Sequence, residues 1–208
     1  MQLREPQIHR LKQIIFLLAL VPLLRLIILG VEGDLGANPI EFITRASGDW
    51  TLYFLCLTLS ITPLRKLTGL NWLLKLRRML GLFTFFYACL HFTTFIWFDH
   101  FFDLDEMWTD VKKRLFITVG FSAFVLLIPL AITSHKTMVR WLGRRWQTLH
   151  RLVYLIAVLA ILHFWWMRAG KHNFAKPLLF GAIIALLLGI RLVMRWRDAR
   201  AASRSVTG

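Results

Sequence analysis

The sequence predicts an all-α fold, a polytopic membrane bundle of six transmembrane helices that forms a single domain over residues 1–208. The chain is 57% hydrophobic and has a mean hydropathy of +0.59. Its apolar residues are gathered into runs near the ~20 residues that an α-helix needs to cross a bilayer. The runs cover approximately residues 13–31, 50–64, 79–98, 115–134, 149–167 and 177–195.

The runs differ in detail. The first is expected to be a retained span rather than a signal peptide, because no small-residue cleavage site follows it. The second is short and is expected to extend at its ends. Pro22 and Pro129 fall inside spans, where they are expected to kink the helix.

The basic residues between the runs predict the orientation, because Lys and Arg accumulate on the cytoplasmic side of a membrane protein. The termini and alternate loops carry 17 of them on one side, and the opposite side carries seven: Arg45, Lys112, Lys113, Arg114, Arg168, Lys171 and Lys176. Nine of the 11 acidic residues also lie on that opposite side. Both termini are therefore predicted to be cytoplasmic.

Composition also excludes some classes of function. A net charge of +15 would suggest nucleic-acid binding in a soluble protein, but these charges flank apolar spans and form no contiguous basic face. The two cysteines, Cys56 and Cys89, lie inside apolar runs and belong to no CxxCH or CxxC motif. Covalent haem attachment and iron–sulfur clusters are therefore not expected.

Two histidines inside predicted spans are the first candidates for a metal site. His91 lies 13 residues after Arg78 in the third span, and His163 lies 13 residues after His150 in the fifth. At 1.5 Å per residue each is ~20 Å from its inner reference point, so the pair can share one level in the outer half of the bilayer. Such a pair suits a haem iron, whereas a lone membrane histidine more often bonds to a neighbouring helix.

The inner level pairs His150 with Arg77 and Arg78 rather than with another histidine. His150 is a candidate metal ligand, and it is equally suited to binding lipid headgroups or water. The two arginines are either positive-inside anchors or partners for haem propionates, and Arg77 is better aimed along the face of His91.

The remaining polar residues receive simpler interpretations. A ligating imidazole needs a hydrogen-bond acceptor for its other ring N–H, and Thr84, Thr93 and Thr94 are candidates. Solvated surface is the expectation for the histidines in the tail and loops, which are His9, His100, His135 and His172.

Three stretches carry a family resemblance: ITPLRK (61–66), RRMLGLFTFFYACLH (77–91) and TSHKTMVRWLGRRWQTLHRLVY (133–154). With His163 after them, they resemble the MsrQ (YedZ) proteins across nearly the whole chain. Those proteins are haem-bearing inner-membrane subunits of the bacterial periplasmic methionine sulfoxide reductase system. They belong to the ferric-reductase-like transmembrane group, which includes NADPH oxidases.

The resemblance implies sites as well as a fold. Relatives in the wider group stack two b-type haems between histidine pairs on two helices. His91 and His163 match the outer pair and His150 matches one inner ligand, whereas arginine occupies the fourth position. One haem b is therefore expected, and the second inner haem is either missing, five-coordinate or unusually ligated.

The resemblance also implies donors and partners. Oxidase relatives continue into an FAD and NADPH domain, but this chain has no GxGxxG fingerprint. Electrons are expected from membrane quinol, with an FMN or a cytoplasmic flavin reductase as alternatives. A periplasmic molybdenum-containing subunit would reduce methionine sulfoxide, and the acidic loop Asp99–Asp110 is a candidate docking surface for it.

Two rival functions fit the same sequence. One is a ferric reductase of the same fold. The other is a non-redox transporter or proton relay, for which the histidines would carry protons. A relay needs a polar route across the bilayer, and the fourth and sixth spans offer only Thr118, Ser122 and Thr133.

Overall fold

The computed structural model describes residues 3–170 and 172–204, without the side chains of residues 201–204. Lys171, which belongs to the outer charge count, lies outside this part. The described residues form helices and no strand. The helices are α1 (Glu5–Glu32), α2 (Pro39–Thr68), α3 (Leu74–Thr94), α4 (Leu104–Lys113), α5 (Leu115–Ile132), α6 (Lys136–Leu142), α7 (Arg144–His150), α8 (Leu152–Ala169) and α9 (Ala175–Arg204).

Five segments of the described chain are long and apolar enough to cross a membrane: Glu5–Glu32, Asn71–Asp99, Leu115–Ile132, Arg144–Ala169 and Ala175–Arg200. The second of them joins a 3₁₀ turn, α3 and the π-helical turn Phe95–Asp99. The prediction of a polytopic helical membrane bundle is confirmed. The predicted span 50–64 lies in α2, which is not among the five, so the count of six stays a prediction.

Helix α2 is longer than the second apolar run of the sequence. It has 30 residues and is capped at its N-terminus by Asn38, whose side chain accepts a hydrogen bond from the backbone N–H of Glu41 at 3.1 Å. It ends at Gly69, which adopts the left-handed conformation with φ 72°. The charged residues of its first turns, Arg45 and Asp49, hide this part of the helix from a search for apolar runs.

Three short helices lie in segments that were expected to be loops. Helix α4 is capped at its N-terminus by Asp103, whose carboxylate accepts hydrogen bonds from the backbone N–H groups of Asp105 and Glu106, both at 3.0 Å. Helices α6 and α7 fold the connection between α5 and α8 into two turns each. Short amphipathic helices escape a search for spans because they lack a long apolar run.

The bundle is built around two helix pairs, α2 with α3 and α5 with α8, and α9 packs against α2 and α8. One buried apolar cluster joins these pairs through Leu55, Leu59, Ala157 and Ile156. A second cluster lies between α1, α2 and α3, where the rings of Phe54 and Tyr87 stack 5.3 Å apart. Close packing of these large rings holds the three helices together, because van der Waals contact rather than removal of apolar surface from water drives helix association in a bilayer.

Candidate haem site

The structure brings together the two histidines that the sequence pairs. His91 on α3 and His163 on α8 line one cavity, which we call the outer cavity. Their ring centres are 6.1 Å apart and their planes are inclined by 75°. Two metal–imidazole bonds of about 2 Å each, together with the distance from each nitrogen to its ring centre, give about this separation. The pair therefore has the spacing that one metal ion between two imidazoles requires.

Each imidazole is held by a backbone carbonyl of a neighbouring helix. Nδ1 of His91 lies 2.9 Å from the carbonyl oxygen of Thr44, and Nδ1 of His163 lies 2.7 Å from that of Phe116. A carbonyl can only accept a hydrogen bond, so Nδ1 carries the proton and donates it in both rings. Nε2 of each neutral ring then has a free lone pair, the state that an iron ligand needs.

The threonines suggested for this role were the wrong choice. Their hydroxyls donate to carbonyls of their own helix, from Thr84 to Leu80 at 3.1 Å and from Thr93 to Cys89 at 2.9 Å. The hydroxyl of Thr94 donates to the backbone carbonyl of His91 at 2.7 Å. Such back-bonding satisfies a helical threonine locally, so it has no need of an imidazole.

Glycines lie against both rings and were not singled out from the sequence. A Cβ atom on Gly120 would lie 2.5 Å from Nδ1 of His163, and one on Gly48 would lie 3.2 Å from Nδ1 of His91. Each glycine follows the accepting carbonyl by one helical turn, and each histidine follows that carbonyl by 47 residues. The only signal in the sequence was a glycine inside the apolar run for Gly120, whereas Gly48 lies among polar residues just before the second run.

The outer cavity has the size and lining of a cofactor site. Its volume is about 630 Å³, within the roughly 300–1,000 Å³ of small-molecule and cofactor pockets. Its walls are mainly apolar and aromatic, from residues that include Leu52, Ala88, Phe92, Phe124 and Ile156. No group of three or more His, Cys, Asp or Glu residues arranged to hold a metal ion occurs in the described chain. The pair therefore suits a metal whose other ligands come from a macrocycle.

Three buried polar atoms at this cavity lack hydrogen bonds within the described residues. They are Nε of Arg168, the hydroxyl oxygen of Thr44 and Nδ1 of His100. All three residues line the outer cavity, together with Arg45 and Arg114. Carboxylate groups on a bound cofactor would satisfy such donors, so the residues present fit a haem and its propionates.

His100 is a buried residue, and the expectation of a solvated surface position was wrong. It is only 5% exposed and lies under α4, with its ring 4.5 Å from that of Phe95. Its two ring nitrogens lie 3.7 Å from a carboxylate oxygen of Glu106 and 3.4 Å from one of Asp110. The fold of α4 over this loop buries it, which the sequence pattern did not reveal.

A second, inner cavity of about 410 Å³ collects the residues predicted for the inner level. His150, Arg77 and Arg78 line it together with Lys136, and no Asp or Glu is among its lining residues. Arg77 is half-buried and Arg78 is exposed, which agrees with the expectation that Arg77 is the better aimed. The structure therefore places one imidazole and three cations around this cavity.

His150 is already held by protein groups. Its ring stacks on Trp146 with centres 4.0 Å apart, and its Nε2 lies 3.0 Å from the hydroxyl oxygen of Thr133. The indole N–H of Trp146 donates to the carbonyl of Thr133 at 2.9 Å. These contacts fix the ring at the end of α7, and Nδ1 makes no hydrogen bond with the described residues.

Comparison with known proteins gives the family. The family profile described as "Ferric reductase like transmembrane component" matches residues 47–161. No solved structure matches the chain. Three similar proteins carry the name protein-methionine-sulfoxide reductase heme-binding subunit MsrQ.

The relative from Herminiimonas arsenicoxydans is 66% identical over 193 residues, which are 92% of this chain and 88% of the relative. That from Ralstonia nicotianae is 59% identical over 89% of this chain and 86% of its own length. The Bordetella pertussis protein is 54% identical over 94% of this chain and 95% of its own length. The chain therefore belongs to the MsrQ family of ferric-reductase-like transmembrane proteins.

Proposed function

We propose that the chain is a b-type cytochrome of the bacterial inner membrane. It would pass electrons outward to a periplasmic, molybdenum-containing methionine sulfoxide reductase subunit, for repair of oxidised periplasmic proteins. The observation that carries this proposal is the facing pair His91 and His163, each with Nδ1 bound to a carbonyl and Nε2 free. The relatives' name, heme-binding subunit, supports the same chemistry.

His91 and His163 would hold the outer haem, and Arg45, Arg114 and Arg168 at the cavity wall would pair with its carboxylates. Haem supplies a one-electron carrier when it is bound. The carbonyls of Thr44 and Phe116 orient the imidazoles and make their free nitrogens more basic. Two imidazole ligands would favour a low-spin haem, and the mainly apolar walls would limit the access of water to it.

The inner cavity would hold a second haem or a flavin-derived carrier. His150 is the one candidate ligand there, and Arg77 and Arg78 would supply charge. A guanidinium is protonated at any physiological pH and has no free lone pair for iron, but its planar donors fit a propionate or phosphate. The competing interpretation is that His150 binds only lipid or water.

Measuring the haem and flavin content of the wild type, His150→Ala and Arg77→Lys separates these interpretations. If His150 is a ligand, His150→Ala should lose about one haem equivalent, or the flavin, while the outer pair's spectrum remains. Arg77→Lys keeps the charge and loses the planar fork, so it should weaken retention without abolishing it. Unchanged cofactor content and electron-transfer rate in His150→Ala would show that His150 is not a ligand and would favour binding of lipid or water.

We propose membrane quinol as the electron donor, with an FMN or a cytoplasmic flavin reductase as the alternative. The given sequence has no GxGxxG fingerprint for a nicotinamide or FAD cofactor, which supports a donor outside the chain. The acidic segment Asp99–Asp110 remains the proposed docking surface for the periplasmic subunit. Asp110 is half-buried against His100, whereas Asp103, Asp105 and Glu106 are exposed and are the more open charges.

The direct test is the absorption spectrum of the purified protein with each donor. A Soret band that shifts on reduction by a quinol, and reverts when the periplasmic subunit and methionine sulfoxide are added, is the expected result. Reduction only by reduced FMN would select the flavin donor. A colourless protein that conducts protons would instead establish the relay, and reversion by ferric chelates alone would favour the ferric reductase.

A further inference from the structure

Two arginines and a tyrosine form a cluster at the inner end of the bundle that lines neither cavity. Arg191 and Arg195 lie on successive turns of α9, and Tyr154 lies on α8. Arg191 is only 6% exposed, whereas Arg195 is open to solvent. Arg77 on α3 lies close enough to Arg191 and Tyr154 to interact with both electrostatically. The cluster therefore has one arginine at the surface and one buried inside the bundle.

The buried guanidinium of Arg191 is fixed by a carbonyl that a proline has released. Pro63 lies inside α2 and has no N–H, so the carbonyl of Leu59, one turn earlier, loses its helical partner. Nε and Nη2 of Arg191 donate to this carbonyl at 3.2 and 2.5 Å. The guanidinium is therefore held inside the bundle. Without these hydrogen bonds, a long basic side chain would extend its charged end toward water.

Tyr154 joins the two arginines and keeps its own proton available. Its hydroxyl oxygen accepts from Nη1 of Arg191 at 2.9 Å and from Nη2 of Arg195 at 3.1 Å. A phenol oxygen has two lone pairs, so both are in use. The O–H of Tyr154 donates to no group in the described chain, and further N–H groups of Arg195 are equally free of protein partners.

The cluster has no counterion within the described residues. None of the ion pairs in that part of the chain involves Arg77, Arg191 or Arg195. The next acid along α9, Asp198, pairs with Lys66 at 2.5 Å. A buried cation without a compensating charge is costly, and a bound anion removes that cost.

We propose that Arg191, Arg195 and Tyr154, with Arg77 at the edge, bind the phosphate group of an amphiphilic ligand. The planar guanidinium donors and the phenol O–H suit phosphate oxygens. Basic pockets between transmembrane helices at this face bind anionic headgroups. The phosphate comes either from an anionic phospholipid or from a phosphorylated flavin. Arg191, Arg195 and Tyr154 line neither cavity, so the site does not depend on the outer haem, and only Arg77 is shared with the inner cavity.

The test compares matched ligands on the delipidated, purified full-length chain. Phosphatidylglycerol is compared with zwitterionic phosphatidylcholine, and flavin mononucleotide with riboflavin, which lacks the phosphate. The variants are Arg195→Gln and the charge-neutral Tyr154→Phe. Arg197→Gln is the control, because this exposed neighbour on α9 carries the same charge and makes no contact with Tyr154.

One phosphate-bearing ligand is expected to bind at least about tenfold more tightly than its counterpart, as charge-assisted hydrogen bonds require. Arg195→Gln and Tyr154→Phe should lose that preference, whereas Arg197→Gln should keep it. Preference for phosphatidylglycerol identifies a lipid site, and preference for flavin mononucleotide identifies a flavin site. The proposal is overturned if neither phosphate-bearing ligand binds more tightly than its counterpart. It is also overturned if Arg195→Gln and Arg197→Gln lose equal amounts of affinity for the preferred ligand. The Soret band should stay unchanged throughout, which separates this failure from a failure of the haem assignment.

Discussion

Each histidine of the outer pair meets a carbonyl and a glycine that lie one turn apart on the facing helix. In a helix, the carbonyl of Thr44 or Phe116 points along the chain toward the N–H of the residue four positions later. That residue is Gly48 or Gly120, and the missing side chain opens a path for the imidazole. The glycines therefore allow a ring N–H to reach a carbonyl that a neighbouring side chain would otherwise cover.

This arrangement predicts unequal effects of alanine at the two glycines. Gly120→Ala should displace the His163 ring, because its Cβ would lie 2.5 Å from Nδ1. Such overpacking costs about 1–3 kcal/mol unless the ring moves. Gly48→Ala, at 3.2 Å from His91, should be milder. Absorption and electron paramagnetic resonance spectra of the purified variants measure the effect on the low-spin signal.

Gly189→Ala is the matched control for these variants. Gly189 lies in α9, and a Cβ there would meet nothing within 4 Å. It should therefore keep the wild-type spectrum and gain slightly in helix propensity. Equal spectra for all three alanine variants would show that the glycines have no part in seating the rings.

At this scale the sequence indicated the two facing histidines better than the groups that hold them. His91 and His163 could be matched in depth because the rise of a helix is constant. Their hydrogen-bond acceptors are backbone carbonyls, which every residue has, so no residue type marks them. The threonines were plausible by type, but Thr84 and Thr93 turn back to their own helix.

Among the elements, α2 depends most clearly on a side chain from another helix. Pro63 breaks its hydrogen-bond ladder at Leu59, and Arg191 of α9 supplies the missing donors. Tyr87 also bonds to a proline-containing helix, because its hydroxyl donates to the carbonyl of Ala19 in α1 at 2.7 Å, but the carbonyl that Pro22 releases is that of Leu18. The repair of a proline break by a neighbouring side chain is therefore seen at Pro63.

A double-mutant cycle tests the repair at Pro63. Arg191→Met should lower the melting temperature in detergent, because an unpaired buried carbonyl costs about 1–3 kcal/mol. Pro63→Ala restores the backbone N–H to Leu59, so Arg191→Met should cost less in that background. Thermal unfolding of the four proteins measures the coupling. Additive shifts in melting temperature would contradict the repair.

The boundaries of the elements were the least predictable feature. Helix α2 starts well before its apolar run because Asn38 and Pro39 begin it among charged residues. Helix α4 has an acidic cap, with Asp103 three residues before Glu106, but its apolar face is too short to predict a span. Both cases show that capping residues, rather than hydropathy, determine where these helices begin.

At the scale of the whole molecule, the same arrangement of histidine, carbonyl and glycine occurs in two helix pairs. The pairs α2–α3 and α5–α8 each bring a histidine from one helix onto a carbonyl and a glycine of the other. The separation of 47 residues between carbonyl and histidine is the same in both pairs. Apolar runs predicted the class of fold, and the structure confirms it, but the side-by-side placement of these pairs depends on tertiary contacts between distant segments.

Orientation is a property of the whole chain and has its own test. The bias of 17 basic residues against seven predicts that both ends face the cytoplasm. A fluorescent reporter fused after Gly208 should therefore be active, and a reporter that works only in the periplasm should be silent there. A periplasmic reporter fused within Asp99–Asp110 serves as the opposite control and should be active. The reverse pattern would overturn the outward direction of electron flow.

The central claim, that His91 and His163 together hold one haem, is tested most directly by the absorption spectra of their alanine variants. His91→Ala and His163→Ala should each lose the low-spin signal of the outer haem while the protein still inserts into the membrane. His135→Ala, at an exposed loop position, should keep the wild-type spectrum. Full retention of the low-spin signal in either single variant would contradict the pairing.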